Sequence, residues 1–387
     1  MTRTEKFVYE LCNKTFLSLW SFPNPIGKKG KELCDVLIIC EPDIIIFSVK
    51  EINIKDSGNI ELDIERWFDR AIHSSAKQVY GAERYLNTVD KINLDDKTTT
   101  IELPKNVNWK IHRICVAFGR GEKFPLRYGD FGNGFIHVFD ERSVKIVLSE
   151  LDTIKDFLNY LTAKELFIRE SKYPFTYGEE DMLGYYLSNN YSFPREADLV
   201  IFHDDIYQGL RNDQEYQKVL ADLEISYVWD NLIEKLIEDF RNDELVTETS
   251  RTDLERTIRQ MAREDRNSRK MLSKQFIDFI GVNEKPISRS RIIKSFNNPE
   301  TIYVFLLGEF ENRTERSKEL QLRSFVGRAR FECTTVIGLA TEKYNPKGFS
   351  IDFSYSYYPE FSDEFRKRAE EMSKDLGYFK NPKIREV

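Results

Sequence analysis

The chain has 387 residues, 41% apolar and 32% charged, which suffices for two domains with proper cores and is too polar for a membrane-embedded protein. No stretch approaches the roughly eighteen apolar residues of a membrane span, and the N-terminus MTRTEKFVYELCNK carries charges where a leader would be apolar; a cytoplasmic location is expected. The net charge of -7 provides no general basic footprint for nucleic acid, so any such contact must be local.

In chain order, Phe7, Leu11, Thr15 and Leu19 fall at helical spacing and predict a helix over residues 5–19. Pro23-Asn24-Pro25 and Gly27-Lys28-Lys29-Gly30 then break the chain into a loop. Two runs rich in β-branched residues, Val36–Cys40 and Ile44–Val49, flank Glu41-Pro42-Asp43 and read as a tight hairpin. After a polar turn at Asp56-Ser57-Gly58-Asn59, an amphipathic helix is expected from about Asp63 to Leu86. A charged loop at 87–109, strands at Ile111–Phe118 and Gly134–Phe139, and a helix over 149–168 follow. Beyond about residue 175 the texture changes. Strand signals at Ala197–Phe202, Thr301–Leu307, Thr334–Leu339 and Phe349–Tyr355 alternate with long charged helices, one of them Glu311–Phe331. These features predict an α/β chain with a boundary at Glu170–Tyr177, between units 1–175 and 176–387. Five cysteines, Cys12, Cys34, Cys40, Cys115 and Cys333, show no C-x-x-C spacing and are expected as reduced core residues.

The chemistry-bearing pattern lies at the hairpin. Hydrolysis of a phosphodiester needs carboxylates for a divalent cation, together with a positive group to orient water and meet developing charge. Asp35 opens the first strand, and Ser48-Val49-Lys50 closes the second, where a lysine ending the run Ile44-Ile45-Ile46-Phe47 is out of place unless it has a function. A hairpin loop of two or four residues puts Asp35 on the face of Ser48 and Lys50; a loop of three puts it opposite Val49.

Glu10 on a first helix, Asp35 on one strand and Ser48-Val49-Lys50 on its partner resemble the PD-(D/E)XK nuclease superfamily, which includes restriction and repair nucleases. The order helix, strands, helix, strand over about the first 140 residues is similar to that family's core. It implies a restriction-endonuclease-like N-terminal domain, a mixed sheet flanked by helices, followed by a C-terminal α/β domain for sensing, substrate binding or oligomerisation. Two departures stand out: Cys34 replaces the usual proline, and Ser48 the usual acid before the lysine.

A subset of restriction endonucleases with S-x-K draws its missing carboxylate from the following helix, which here points to Asp63 or Glu65. The resemblance implies that Asp35, the Val49 carbonyl and Asp63 or Glu65 ligate Mg²⁺, with Mn²⁺ as a substitute, and that Lys50 orients the attacking water. Glu10 or Glu32 would complete an outer sphere, and Gln78 and Lys77 match polar residues of the family's helix. The implied partners are nucleic acid, DNA above RNA, a second copy for double-strand cutting or a partner protein, and the implied setting is prokaryotic antiphage defence. Ser48 equally fits an inactive nuclease-fold scaffold subunit.

Plainer readings stand beside these. Glu61, Asp63 and Glu65 suit any helix start. Arg251 to Lys274 reads as solvated helix faces or as phosphate contacts, and His203-Asp204-Asp205 as a loop cap more than a second metal site.

Overall fold

The computed structural model describes every residue except 18, 95, 97–98, 120–125, 171–172, 177, 196–198, 243–250, 282–287, 311, 343–349 and 380–387. Parts of the expected elements at Ala197, Glu311 and Phe349, and part of the expected boundary at 171–172 and 177, therefore lie outside the described residues. The chain divides into two compact units, Met1–Lys218 and Val219–Val387.

In the first unit, helix α1 (Arg3–Phe16) starts from a capping box in which Thr2 and Glu5 satisfy each other's backbone amides. It stops short of the expected end at 19 because Leu17 takes a left-handed φ of 71°. Strands β1 (Ser21–Pro23), β2 (Val36–Cys40) and β3 (Asp43–Glu51) follow, then α2 (Ile60–Phe68) and α3 (Ser74–Leu86). The single helix expected over 63–86 contains a wider π-type turn at Asp69–His73 between these two helices. A small hairpin of β4 (Lys91–Asn93) and β5 (Thr100–Glu102) precedes β6 (Lys110–Phe118), β7 (Gly129–Asp130) and β8 (Phe135–Phe139).

The main sheet is mixed, in the order β1-β2-β3-β6-β8-β7, with β3, β6 and β8 parallel. Alternation gives β3 two buried faces. Ile44 and Ile46 pack into one core with Trp67, Ala71, Ile72, Ala76 and Val79 from the α2–α3 segment. Ile45, Phe47 and Val49 are buried on the opposite face.

The helix expected at 149–168 forms as α5 (Ile154–Glu170), where the Thr153 hydroxyl accepts from the Asp156 amide, and a further helix, α4 (Glu141–Glu150), capped by Asp140, precedes it. Polar caps, invisible to apolar periodicity, start both helices. Next come β9 (Tyr173–Thr176), α6 (Glu179–Ser188), β10 (Leu199–Phe202) parallel to β9, and α7 (Ile206–Asn212). Tyr207 and Tyr216 donate to the two carboxylate oxygens of Glu150 at 2.6 and 3.0 Å, and Arg211 pairs with the same group. These contacts tie α7 and the start of the next helix to α4, within a first unit that runs to Lys218.

Helix α8 (Gln214–Leu223) carries the chain across the division. The second unit holds α9 (Tyr227–Arg241), α10 (Arg251–Ala262), α11 (Arg266–Ile280), and a sheet of β11 (Ser288–Lys294), β12 (Thr301–Gly308), β13 (Thr335–Thr341) and β14 (Ile351–Tyr357). Helices α12 (Arg313–Phe331) and α13 (Asp363–Leu376) complete it. Strand β11 had no counterpart in the sequence reading, because its Ser-Arg-Ser-Arg half lacks an apolar run. All five cysteines are buried free thiols. Among the described residues no helix is long and apolar enough to cross a membrane.

Gly119 lets β6 leave the sheet beside the end of β3. Its φ is +79°, and a Cβ there would sit 2.6 Å from the Ile52 carbonyl oxygen. Gly119→Ala is therefore expected to destabilise the first unit by about 1–3 kcal/mol, measured as a lowered denaturant midpoint with an unchanged slope.

Candidate active site at the end of the β2–β3 hairpin

The hairpin register decides the site. Glu41 and Pro42 alone separate β2 from β3, and Val36 pairs with Phe47. That pair is the last of the ladder: Asp35 sits in the bend just before β2, and its amide also donates to the Phe47 carbonyl, at 3.1 Å. The loop is the two-residue one, and alternation along β3 puts Ser48 and Lys50 on one face of that strand. Asp35 is 2% exposed, and its Oδ2 accepts from the Val49 amide at 2.7 Å. Val49 thus meets Asp35 through its N–H, where the sequence reading had assigned a role to its carbonyl.

Ser48 is fully buried and donates to Gln78 Oε1 at 2.8 Å, tying the end of β3 to α3. Lys50 is half-buried and lies close enough to act electrostatically on both Asp35 and Glu32.

The second acid at Asp35 is Glu32. Its loop is held by a bridge between Ile26 and Glu32 and by the Leu33 amide donating to the Pro25 carbonyl. Glu32 is exposed as a residue, yet its carboxyl shares a hydrogen bond with Asp35. Loss of hydration, that hydrogen bond and the charges of Asp35 and Glu5 push Glu32 up to about 7, with Lys50 opposing. Burial also raises Asp35 above the usual carboxylate range, against the Val49 amide and Lys50. Glu5, the α1 capping residue, adds its negative charge to both.

The helix acids take other positions. Asp63 is buried, but its Oδ2 accepts from the Ser57 amide at 2.9 Å, and Arg66 lies 3.9 Å from Oδ1. It closes the turn before α2, and the Ser57 amide holds its carboxyl below the usual range. Glu65 is exposed and pairs with Arg127 at 2.8 Å. Glu10 is exposed and pairs with Lys6 one turn away on α1. The expected ligands Asp63 and Glu65 and the outer-sphere Glu10 therefore have these partners, while Glu32 stands at Asp35. Helical register put Asp63 on the right element, but the turn at 56–59 claims its carboxylate. Glu32 was visible as an acid three residues before Asp35; its approach depends on the loop bridge, which no periodicity reveals.

Among the described residues, no group of three His, Cys, Asp or Glu side chains is arranged to hold a metal ion. The donor set nonetheless fits Mg²⁺ in part. Two carboxyl groups lie side by side next to Lys50, and a divalent cation held by one or two carboxylates, with water and phosphate completing its shell, is common for this ion.

The alternative sites resolve differently. His203 is exposed, and Asp205 stands at the position before α7 with a left-handed φ of 65° and no side-chain bond to the helix amides, while the Tyr207 amide donates to Asp181. Arg266 and Arg269 both pair with Asp230, and Lys270 and Lys274 with Asp222, so four cations of the basic 251–274 segment bind acids of their own unit.

No family model, curated protein or solved structure matches the chain.

Proposed function

We propose that the first unit hydrolyses phosphodiester bonds of nucleic acid, with DNA as substrate, and that Asp35, Glu32 and Lys50 carry the reaction. The supporting observation is a buried aspartate, hydrogen-bonded to a second carboxyl and flanked by a lysine, at the carboxyl end of a parallel strand. Ligand sites in open α/β sheets lie at that end. Asp35 and Glu32 would hold Mg²⁺, or Mn²⁺ in its place, and the ion would supply Lewis acidity and a more acidic bound water. Lys50 orients the attacking water and meets the charge that grows on the phosphate oxygens. The Val49 amide fixes the rotamer of Asp35, and Gln78 fixes β3 through Ser48.

The test is cleavage of plasmid DNA with and without divalent metal. Glu32→Gln is expected to raise the Mg²⁺ concentration for half-maximal cleavage about tenfold, a loss of ~1.4 kcal/mol in metal binding. Glu10→Ala should leave that concentration unchanged. Equal Mg²⁺ curves for wild type and Glu32→Gln would remove Glu32 from the site.

Two observations favour a second reading, an inactive nuclease-fold scaffold subunit. Ser48 stands where an acid is expected, and no three-ligand cluster exists among the described residues. That reading prevails if the wild type binds DNA but cuts none with either Mg²⁺ or Mn²⁺.

A further inference from the structure

The second unit contains a cavity of about 300 Å³ between α12, β14 and α13. Its walls combine the rings of Phe325, Tyr358 and Phe365 with the hydroxyls of Ser324, Ser354 and Ser356, and Arg328 lies in its lining. That size is at the low end for small-molecule sites, and aromatic walls with a few placed polar groups are their usual make-up.

Arg328 is the unusual member. It is 4% exposed, and its guanidinium sits 4.4 Å from the ring centres of both Phe361 and Phe365 and 5.2 Å from that of Tyr358. Nη2 donates to the carbonyls of Tyr358 and Glu360 at 2.7 and 2.8 Å. Among the described residues no carboxylate pairs with it, and its buried Nε meets no acceptor. The other buried arginines of this unit do have acids: Arg266 and Arg269 share Asp230, Arg316 takes Asp352 and Glu342, and Arg323 takes Glu319. A buried cation without a counter-charge is costly, and rings and two carbonyls offset only part of that cost. Burial accordingly lowers its affinity for the proton. A neighbouring cavity shares Gln321 and Phe325 and is edged by Lys318 and Arg368, so the local field favours an anion from outside.

We propose that this cavity binds a small organic anion made of one flat aromatic system and a phosphate or carboxylate. The ring lies against the phenylalanines and Tyr358, the serine hydroxyls bond its polar edge, and the anionic group supplies the counter-charge Arg328 lacks. This assignment is independent of the nuclease reading of the first unit.

Isothermal titration of the full chain tests it with four probes. AMP presents ring and phosphate, indole-3-acetate ring and carboxylate, adenosine the ring alone, and inorganic phosphate the charge alone. Saturable binding of AMP or indole-3-acetate is expected, with adenosine and phosphate at least about tenfold weaker, the loss of one charge-assisted contact. Which of the two anions binds identifies the acidic group. Arg328→Gln should weaken the bound probe about tenfold or more, and Ser356→Trp, which fills the cavity and leaves Arg328 and its carbonyl bonds in place, should abolish binding even if Arg328→Gln fails to fold. The proposal is overturned if neither ring-bearing anion binds, or if Ser356→Trp binds either one as well as the wild type does.

Discussion

Asp35→Asn and Lys50→Ala are each expected to lower metal-dependent DNA cleavage about a hundred- to a thousandfold, ~2.7–4 kcal/mol of transition-state stabilisation. The two act differently. Asparagine keeps an oxygen where Asp35 Oδ2 accepts the Val49 amide, so the strand end stays in place while the charge facing Glu32 and Lys50 disappears. That change should raise the metal requirement and lower the maximal rate together. Lys50 is half-buried at the end of the apolar part of β3, and alanine removes its ammonium together with the methylene stem while leaving the strand backbone unchanged. Its loss should fall on the rate at saturating metal, since Lys50 meets charge that develops during the reaction. Cleavage by both variants at the wild-type rate would place the chemistry elsewhere. A rate loss in Lys50→Ala that high Mg²⁺ fully rescues would make the lysine a metal-site tuner without a role at the phosphate.

Much of this arrangement was legible in the residues because the side chains concerned lie within one hairpin. Two β-branched runs separated by a short Pro-containing turn leave few registers, and the observed one brings the Asp35 carboxylate to the Val49 amide at the end of β3. Strand alternation then fixes Lys50 without further information. The second carboxylate was harder to place because it depends on how loops cross. The acids at 61–65 have the composition of a helix start, and Asp63 behaves as one, closing the turn through the Ser57 amide. Glu32 approaches Asp35 through a loop pinned by the Ile26–Glu32 bridge, and Glu5 acts from a helix cap. Neither position carries a periodic signal. Polar caps at Asp140 and Thr153 likewise start α4 and α5, and bonds to Glu150 tie Tyr207 and Tyr216 to the end of α4. Apolar periodicity locates what is buried, whereas single polar bonds over long separations decide where the ends of elements lie.

One such bond should make the first unit sensitive to the loss of either partner alone. Lys164 on α5 is fully buried and donates to Glu179 at the start of α6 at 2.5 Å, while the Tyr160 hydroxyl donates to the other Glu179 oxygen at 2.6 Å. The ammonium also lies over the rings of Tyr128 and Phe139 at 4.6 and 5.1 Å from their centres. Burial lowers the Lys164 proton affinity while Glu179 opposes that shift. Glu179→Gln keeps an acceptor for Tyr160 but strands a buried cation, and Lys164→Met strands a buried carboxylate. Each is expected to cost about 3–5 kcal/mol, whereas the double variant Lys164→Met/Glu179→Gln should recover most of that loss, because an uncharged pair of similar volume has no ion to desolvate. Hydrogen exchange of amides in α5 and α6, followed together with denaturant unfolding, measures the cycle. Additive losses in the double variant would mean that the two side chains contribute by packing alone, and that the charge pair between them has no net coupling.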